Sequence, residues 1–318
     1  SEFVKNVMKE NIFDRKDNQG NAVGKLTNDK PIEVLFEGYD ETIYKKTDEF
    51  SKSLVDEMSA IKEDFCFLYA GHWLPGPFGE DRKDTASLIK LFIETWSNVD
   101  NAPALVLKTS AGTFSPPDKY DLMKRIERIR NTQTNVPREQ QPSIYLLHGE
   151  LSDIEMNELY HHPKIKAMIS LTKGEGFGRP LLEFSTINKP IITTGWSGHV
   201  DFLSKDYCAL LGGELEPVHK SAQVKDMILG ESQWFKVGDQ WIANAYHDVF
   251  LKYKMWKDRS KKQGFNSRKN FSYKKMKTKI NKILSSNIPE LPKKMELKLP
   301  NISKIKMPNK DNKLKIVK

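Results

Sequence analysis

The residues best suited to chemistry lie between Leu171 and Phe202, LTKGEGFGRPLLEFSTINKPIITTGWSGHVDF. A glycine-rich turn, Gly174-Glu175-Gly176-Phe177-Gly178, leads into an apolar segment opened by Pro180, and Glu183 follows Glu175 by eight residues. Glycine lets the backbone approach a ligand closely, and a helix start offers free N–H groups and a positive dipole end to an anion. Two carboxylates placed there suit the vicinal hydroxyls of a sugar, because an ionised carboxylate accepts two hydrogen bonds at once. Gly-x-Gly-x-Gly alone also describes an ordinary tight strand-to-helix turn. The carboxylate spacing and a second glycine loop after the next apolar run, Gly195-Trp196-Ser197-Gly198-His199, carry the reading further.

The elements that must position these groups alternate. Short apolar runs at 31–36, 65–70, 104–108, 143–147, 166–171, 190–194 and 208–213 read as strands. Between them, 84–97, 118–130, 152–160 and 180–187 read as helices; Ser152 with Glu155 forms a capping-box pattern and Pro180 suits a first turn. The runs are rich in Ile, Val, Leu and Phe and do not alternate with polar residues, as in a parallel sheet covered on both faces. The fold class is therefore α/β, a Rossmann-like doubly wound sheet whose ligand lies beyond the carboxyl ends of the strands. Residues 1–10 predict a short amphipathic helix, and the polar stretch with Asn18, Gly20, Asn21 and Gly24 a loop. After 214 the pattern turns helical at 219–229, 240–259 and 270–285. Pro289, Pro292, Pro300 and Pro308 then impose an extended path on 287–318. Trp234, Phe235, Trp241, Tyr246, Phe250, Tyr253 and Trp256 have approximate helical spacing and read as core packing.

Composition narrows the class. The 318 residues are 38% hydrophobic and 10% aromatic, enough for a core, with no apolar run long enough to span a membrane. The N-terminus lacks a signal-peptide pattern and an initiator Met, as in a fragment, a processed product or a trimmed chain. Only Cys66 and Cys208 occur, both in apolar runs, which points to a reducing, cytoplasmic setting without structural zinc. The net charge of +9 conceals two parts: 252–318 holds 22 Lys/Arg and 4 Asp/Glu, and 1–251 holds 29 and 38. A tail of +18 suits an anionic surface by charge alone. It carries no recognised nucleic-acid motif and far more Lys than Arg, against sequence-specific reading of nucleic acid.

GEGFGRPLLE followed by KPIITTGWSGHVDFL resembles the nucleotide-sugar-binding half of a GT-B glycosyltransferase, and within that fold the retaining enzymes of family 4, with their Glu-x7-Glu in a GFG-type loop. YAGHW (69–73) with RKD (82–84) is similar to the family's first strand and diphosphate loop. IYLLHGELSDIEMNELY (144–160) is similar to the unit that reads the nucleotide base. The resemblance covers roughly 30–285. It implies that 1–30 closes an acceptor domain absent from this sequence, that 31–260 is the donor-binding domain, and that 261–318 is a basic tail, first helical and then extended.

By family position, Glu183 would bind the ribose hydroxyls. Glu175, with the backbone N–H groups of Gly176, Phe177 and Gly178, would hold the transferred sugar. Lys83 matches the diphosphate-binding Lys, which neutralises the leaving group without a metal. The family's earlier Arg, after the strand glycine (here Gly71), is His72 in this sequence, a departure that leaves Arg82 or Arg179 to complete the cationic clamp. His148, Gly149 and Leu151 are candidates for the base pocket, with an ordinary strand-end turn as the alternative for His148. Gly198 and His199 are candidates for phosphate, with a helix-capping role as the alternative for His199. Lys108-Thr109-Ser110 ends another strand at the same edge. There is no Asp-x-Asp and no His-Glu-x-x-His, so a metal-independent reaction is expected. The co-substrate implied is a UDP- or GDP-sugar, with no bound cofactor and an unidentified glycan, lipid or protein acceptor. In a same-face retaining transfer the leaving phosphate itself takes the acceptor's proton. The competing reading is a non-catalytic nucleotide-sugar-binding module tethered to an anionic surface by its basic tail.

Overall fold

A computed structural model describes residues 1–288 except 74, 75 and 226, so the Pro/Lys-rich segment expected at 289–318 lies outside the described residues. In chain order the elements are α1 (Glu2–Glu10), β1 (Phe13–Lys16), β2 (Ala22–Leu26), α2 (Lys52–Ser59), β3 (Cys66–His72), α3 (Thr85–Thr95), β4 (Ala104–Ser110), α4 (Pro116–Thr132), β5 (Ile144–Leu147), α5 (Asp153–His161), β6 (Ile165–Ser170), α6 (Arg179–Ser185), β7 (Ile191–Thr194), β8 (Ala209–Leu211), β9 (Glu214–Pro217), β10 (Gln233–Lys236), α7 (Asp239–Leu251), α8 (Tyr253–Asn270) and α9 (Tyr273–Asn287). Six strands form one parallel sheet in the order β5-β4-β3-β6-β7-β8. The order reverses between β3 and β6, and the crevice beyond their carboxyl ends is where such sheets hold a ligand.

Both faces of the sheet are covered, which is why its strands are continuously apolar. Phe67, Tyr69, Leu105 and Leu107 face Ile89 and Phe92 of α3 and Tyr246 of α7. Cys66, Leu68, Val106 and Met168 face Leu159 and Tyr160 of α5 and Leu182 and Phe184 of α6. Each such side chain, fully buried, contributes about 1.5–3 kcal/mol. The expected capping box is present: Ser152 Oγ accepts from Glu155 N, and the Glu155 carboxylate accepts from Ser152 N at 2.9 Å. Pro180 occupies the first turn of α6.

Four expectations from the pattern are corrected. The polar stretch after α1 is an exposed antiparallel hairpin, β1–β2, in which the Asp17 carboxylate accepts from Gln19 N and Asn21 N to close the turn. The run 31–36 forms no strand. Val34 and Phe36 are buried, Phe36 packs edge-on against Phe271, and Tyr39 meets the α8–α9 junction through bonds to Phe271 O and from Tyr273 N. The segment 219–229 is not a helix, and the chain there links the antiparallel pair β9–β10, which carries Trp234 and Phe235. Helix 240–259 breaks at Lys252 into α7 and α8, and Trp241 is exposed rather than packed.

Helix α8 crosses residue 260 without interruption and braces the ligand edge from behind. Its Gln263 donates to Phe202 O and accepts from Ser204 N, just after the second glycine loop. Its Ser267 meets Ser185 of α6 at 2.7 Å.

Candidate functional site

The two glycine loops lie side by side at the carboxyl edge of β6 and β7. Ser197 Oγ accepts from Glu175 N, and Glu175 O accepts from Gly198 N, both at 2.9 Å. A Cβ on Gly198 would sit 2.1 Å from Gly176 O, so only glycine lets these backbones touch. Gly178 takes φ +93 to start α6, a conformation that L side chains avoid. Among the described residues, the N–H groups of Gly176, Phe177 and Gly178 make no hydrogen bond, which leaves them free for a ligand.

Glu175 sits between two cations. Lys83 Nζ bonds Oε1, and the Arg82 guanidinium lies 3.3 Å from Oε2. Burial would raise the Glu175 carboxyl, but Lys83 and Arg82 outweigh it and hold the group below its ordinary value, ionised. Lys83 is itself pushed down by burial and supported by Glu175. Arg82 also donates to Gly174 O, which ties the β3–α3 loop to the glycine turn.

Glu183 has a different environment. It is 4% exposed, and burial pushes its carboxyl up to about 7 although the Arg179 guanidinium bonds it at 2.9 Å. It borders an open cavity of about 330 Å³ at the ends of β3 and β4. Gly71, His72, Lys108, Thr109, Ser110, Leu151, Arg179 and Glu183 line this cavity together with Tyr44, Asp153 and Tyr160. A Cβ on Gly71 would lie 4.0 Å from Lys83 Cε, so the lysine side chain passes close to one residue of the cavity lining.

The expected residues thus divide. Arg82, Lys83, Glu175, Gly176, Gly178, Gly198 and His199 gather at the paired loops. Gly71, His72, Leu151 and Glu183 gather around the cavity. His72 is exposed and pairs with Ser110 Oγ at 2.9 Å. Arg179 is engaged with Glu183 rather than standing free beside Lys83. Phe177 is buried against Phe202 and offers only its backbone. The His148 ring bonds Asp118 at 2.9 Å, outside the cavity lining. Gly149 takes φ +143, and its carbonyl accepts from Lys108 Nζ. His199 is fully buried; Nε2 donates to Thr194 O at 2.5 Å, and Nδ1 has no partner among the described residues. Burial keeps this imidazole neutral by lowering its pKa, so it acts on the loops as a brace.

Sequence reasoning missed Tyr44 and Asp153. Tyr44 lies on an irregular segment with no motif, yet its hydroxyl is 3.4 Å from Asp153 Oδ1 and it lowers the Glu183 carboxyl by hydrogen bonding. Asp153 reads from sequence only as a first-turn acid of α5.

No protein-family model matches the sequence, and no curated protein is significantly similar to it. The fold does match solved structures. The C-terminal domain of a glycosyl transferase group 1 family protein, LpcC of Francisella tularensis, superposes with TM-score 0.50 at 14% identity, over 74% of this chain and all of that one. A glycosyltransferase of Rickettsia africae gives 0.57 at 16% identity, over 90% of this chain and 62% of its own. HepE of Anabaena, solved with UDP-glucose, gives 0.52 at 14% identity, over 80% and 57%. The chain therefore has the Rossmann-like fold of GT-B C-terminal domains. It spans about three-fifths of these two longer chains.

Proposed function

We propose that this chain binds the donor of a glycosyltransferase reaction, a UDP- or GDP-sugar, and presents its sugar for retaining transfer to an acceptor. The observation that carries this reading is the pair of unlike carboxylates at the switch point. Glu183 borders a cavity with Tyr44 and Asp153, and in this reading it accepts from both ribose hydroxyls. In the same reading Glu175 and the N–H groups of Gly176, Phe177 and Gly178, which make no hydrogen bond among the described residues, hold hydroxyls of the transferred sugar. Lys83 and Arg82 supply positive charge between them, where a diphosphate would lie. On ligand binding Lys83 is shared between Glu175 and phosphate, so the leaving group is neutralised by side chains. The leaving phosphate then takes the acceptor's proton, and the chain contributes positioning and electrostatics rather than a base.

HepE, which shares the fold, was solved with UDP-glucose, and that ligand class supports the same reading. An acceptor-binding domain before residue 30, or on another chain, would complete the enzyme. The two buried free thiols favour a reducing compartment such as the cytoplasm. Calorimetric titration with UDP, UDP-sugars and GDP-sugars tests the assignment. Glu183→Ala should abolish nucleotide binding, and Glu175→Ala should keep binding of free UDP or GDP while losing the added affinity for the attached sugar. Unchanged nucleotide binding in Glu183→Ala removes the ribose assignment. A chain that binds the donor yet never hydrolyses or transfers it, even with an acceptor domain supplied, is a binding module instead.

A further inference from the structure

The C-terminal helices carry a feature that the donor site does not use. Residues 251–288 contain thirteen Lys/Arg and a single acid, Asp258. Helix α9 has five lysines and no acidic residue. Its apolar residues Tyr273, Met276, Ile280, Ile283 and Leu284 recur at three- and four-residue spacing and share one side. Lys277 and Lys279 flank that stripe, and Lys274, Lys275 and Lys282 fall on the opposite side.

Only the first turns of this stripe are covered. Met276 Sδ accepts from Gly38 N, Tyr273 N bonds Tyr39 O, and Lys279 lies over the Phe36 ring. Beyond them Leu284 is 44% exposed and Ile288 53%, and none of α9 is buried. Among the described residues, nothing covers the rest of this half-covered apolar stripe between lysines.

We propose that the second half of α9 is a docking surface for an anionic lipid bilayer, which it enters side-on. Charge complementarity selects this occupant. Phosphate-bearing headgroups neutralise the flanking lysines while Ile283, Leu284 and Ile288 reach the acyl boundary. A second copy of this chain is disfavoured by its net charge of +9. A nucleic acid would satisfy the lysines and leave the apolar stripe wet. No described helix is long and apolar enough to cross a bilayer, so the contact is peripheral. The inference does not depend on the sugar-nucleotide reading, because none of these residues lines the cavity or the glycine loops.

The test is co-sedimentation of the full chain with vesicles of phosphatidylcholine, with and without phosphatidylglycerol, at low and high salt. Binding should require phosphatidylglycerol and weaken with salt. Replacing Lys277 and Lys279, the two lysines that flank the stripe, by Gln together should weaken it about 25-fold, at roughly fivefold per lysine. Leu284→Asn with Ile288→Asn should weaken it about tenfold, with the thermal midpoint unchanged as the check on folding. The proposal is overturned by no binding to phosphatidylglycerol vesicles at low salt, or by the lysine variant binding as well as the parent. It is equally overturned if the Asn variant binds unchanged while a random DNA duplex binds the parent as tightly, which is attraction by charge alone. Self-association through α9, seen as a concentration-dependent dimer that the Asn variant abolishes and vesicles do not compete away, also overturns it.

Discussion

Glu175 and Glu183 are the same residue type eight positions apart, and the fold gives them opposite electrostatics. Glu175 stands on a loop between Lys83 and Arg82, and its carboxyl is held below the ordinary value against the pull of burial. Glu183 stands one turn into a helix packed under the sheet edge, and burial prevails over Arg179 to bring it to about 7. Cations delivered by the β3–α3 loop make the difference, and they reach only one of the two. One carboxylate is thereby fixed as a charged group. The other can ionise when hydroxyl donors arrive to share its charge.

The largest disturbance should come from the contact on which both environments depend. Gly198→Ala puts a methyl group into Gly176 O, and the loops must part. A loss of about 3 kcal/mol in unfolding free energy is expected, with nucleotide binding gone, as read by denaturant titration and calorimetry.

The two carboxylates should then separate by pH. The folded Glu183 carboxyl sits at about 7 against an ordinary 4.5, so the native state holds a proton that the unfolded chain has released. Stability from this group is therefore lost as pH rises through that window, on the order of 3 kcal/mol. Glu183→Gln should flatten the thermal midpoint across it and raise stability at pH 8. Glu175 has the opposite sign: its contribution is present above 4.5 and is lost as pH falls toward its lower folded value. A Glu183→Gln variant with the parent's pH profile breaks the comparison.

Lys83→Ala leaves Glu175 with only Arg82 and should cost about 2 kcal/mol, while diphosphate-containing ligands weaken more than the free nucleoside. Tyr44→Phe removes a bond that lowers the Glu183 carboxyl, so that carboxyl should titrate higher. Nucleotide affinity near neutral pH should fall roughly threefold. His148→Gln should be the smallest change at the site, because the ring is engaged with Asp118 outside the cavity lining. Nucleotide affinity should stay within about twofold, as expected of a side chain that touches no ligand.

The sheet was legible from sequence because its strands are buried on both faces, and continuous apolar runs between helical periods have few other readings. The glycine loops were legible because φ +93 at Gly178 and the contact at Gly198 admit little else. What escaped had no periodic signal. The run 31–36 is apolar because it packs on helices near α9, not because it pairs in a sheet. The segment 219–229 has helix-like spacing but is held between the two strands of a hairpin. Tyr44 reaches the cavity from an irregular segment, so only tertiary packing places it beside Asp153. Arg179 and Lys83 both sit near the glycine turn in sequence or in space, and only the fold pairs Arg179 with Glu183 and Lys83 with Glu175.

In the proposed function one carboxylate serves the nucleotide and the other the sugar. Calorimetric titration of the parent, Glu183→Ala and Glu175→Ala with a UDP- or GDP-sugar and with the matching free nucleotide tests it most directly. Glu183→Ala should lose both ligands, whereas Glu175→Ala should bind nucleotide sugar and free nucleotide with equal affinity. Equal losses for both ligands in both variants, or no loss in either, would contradict it.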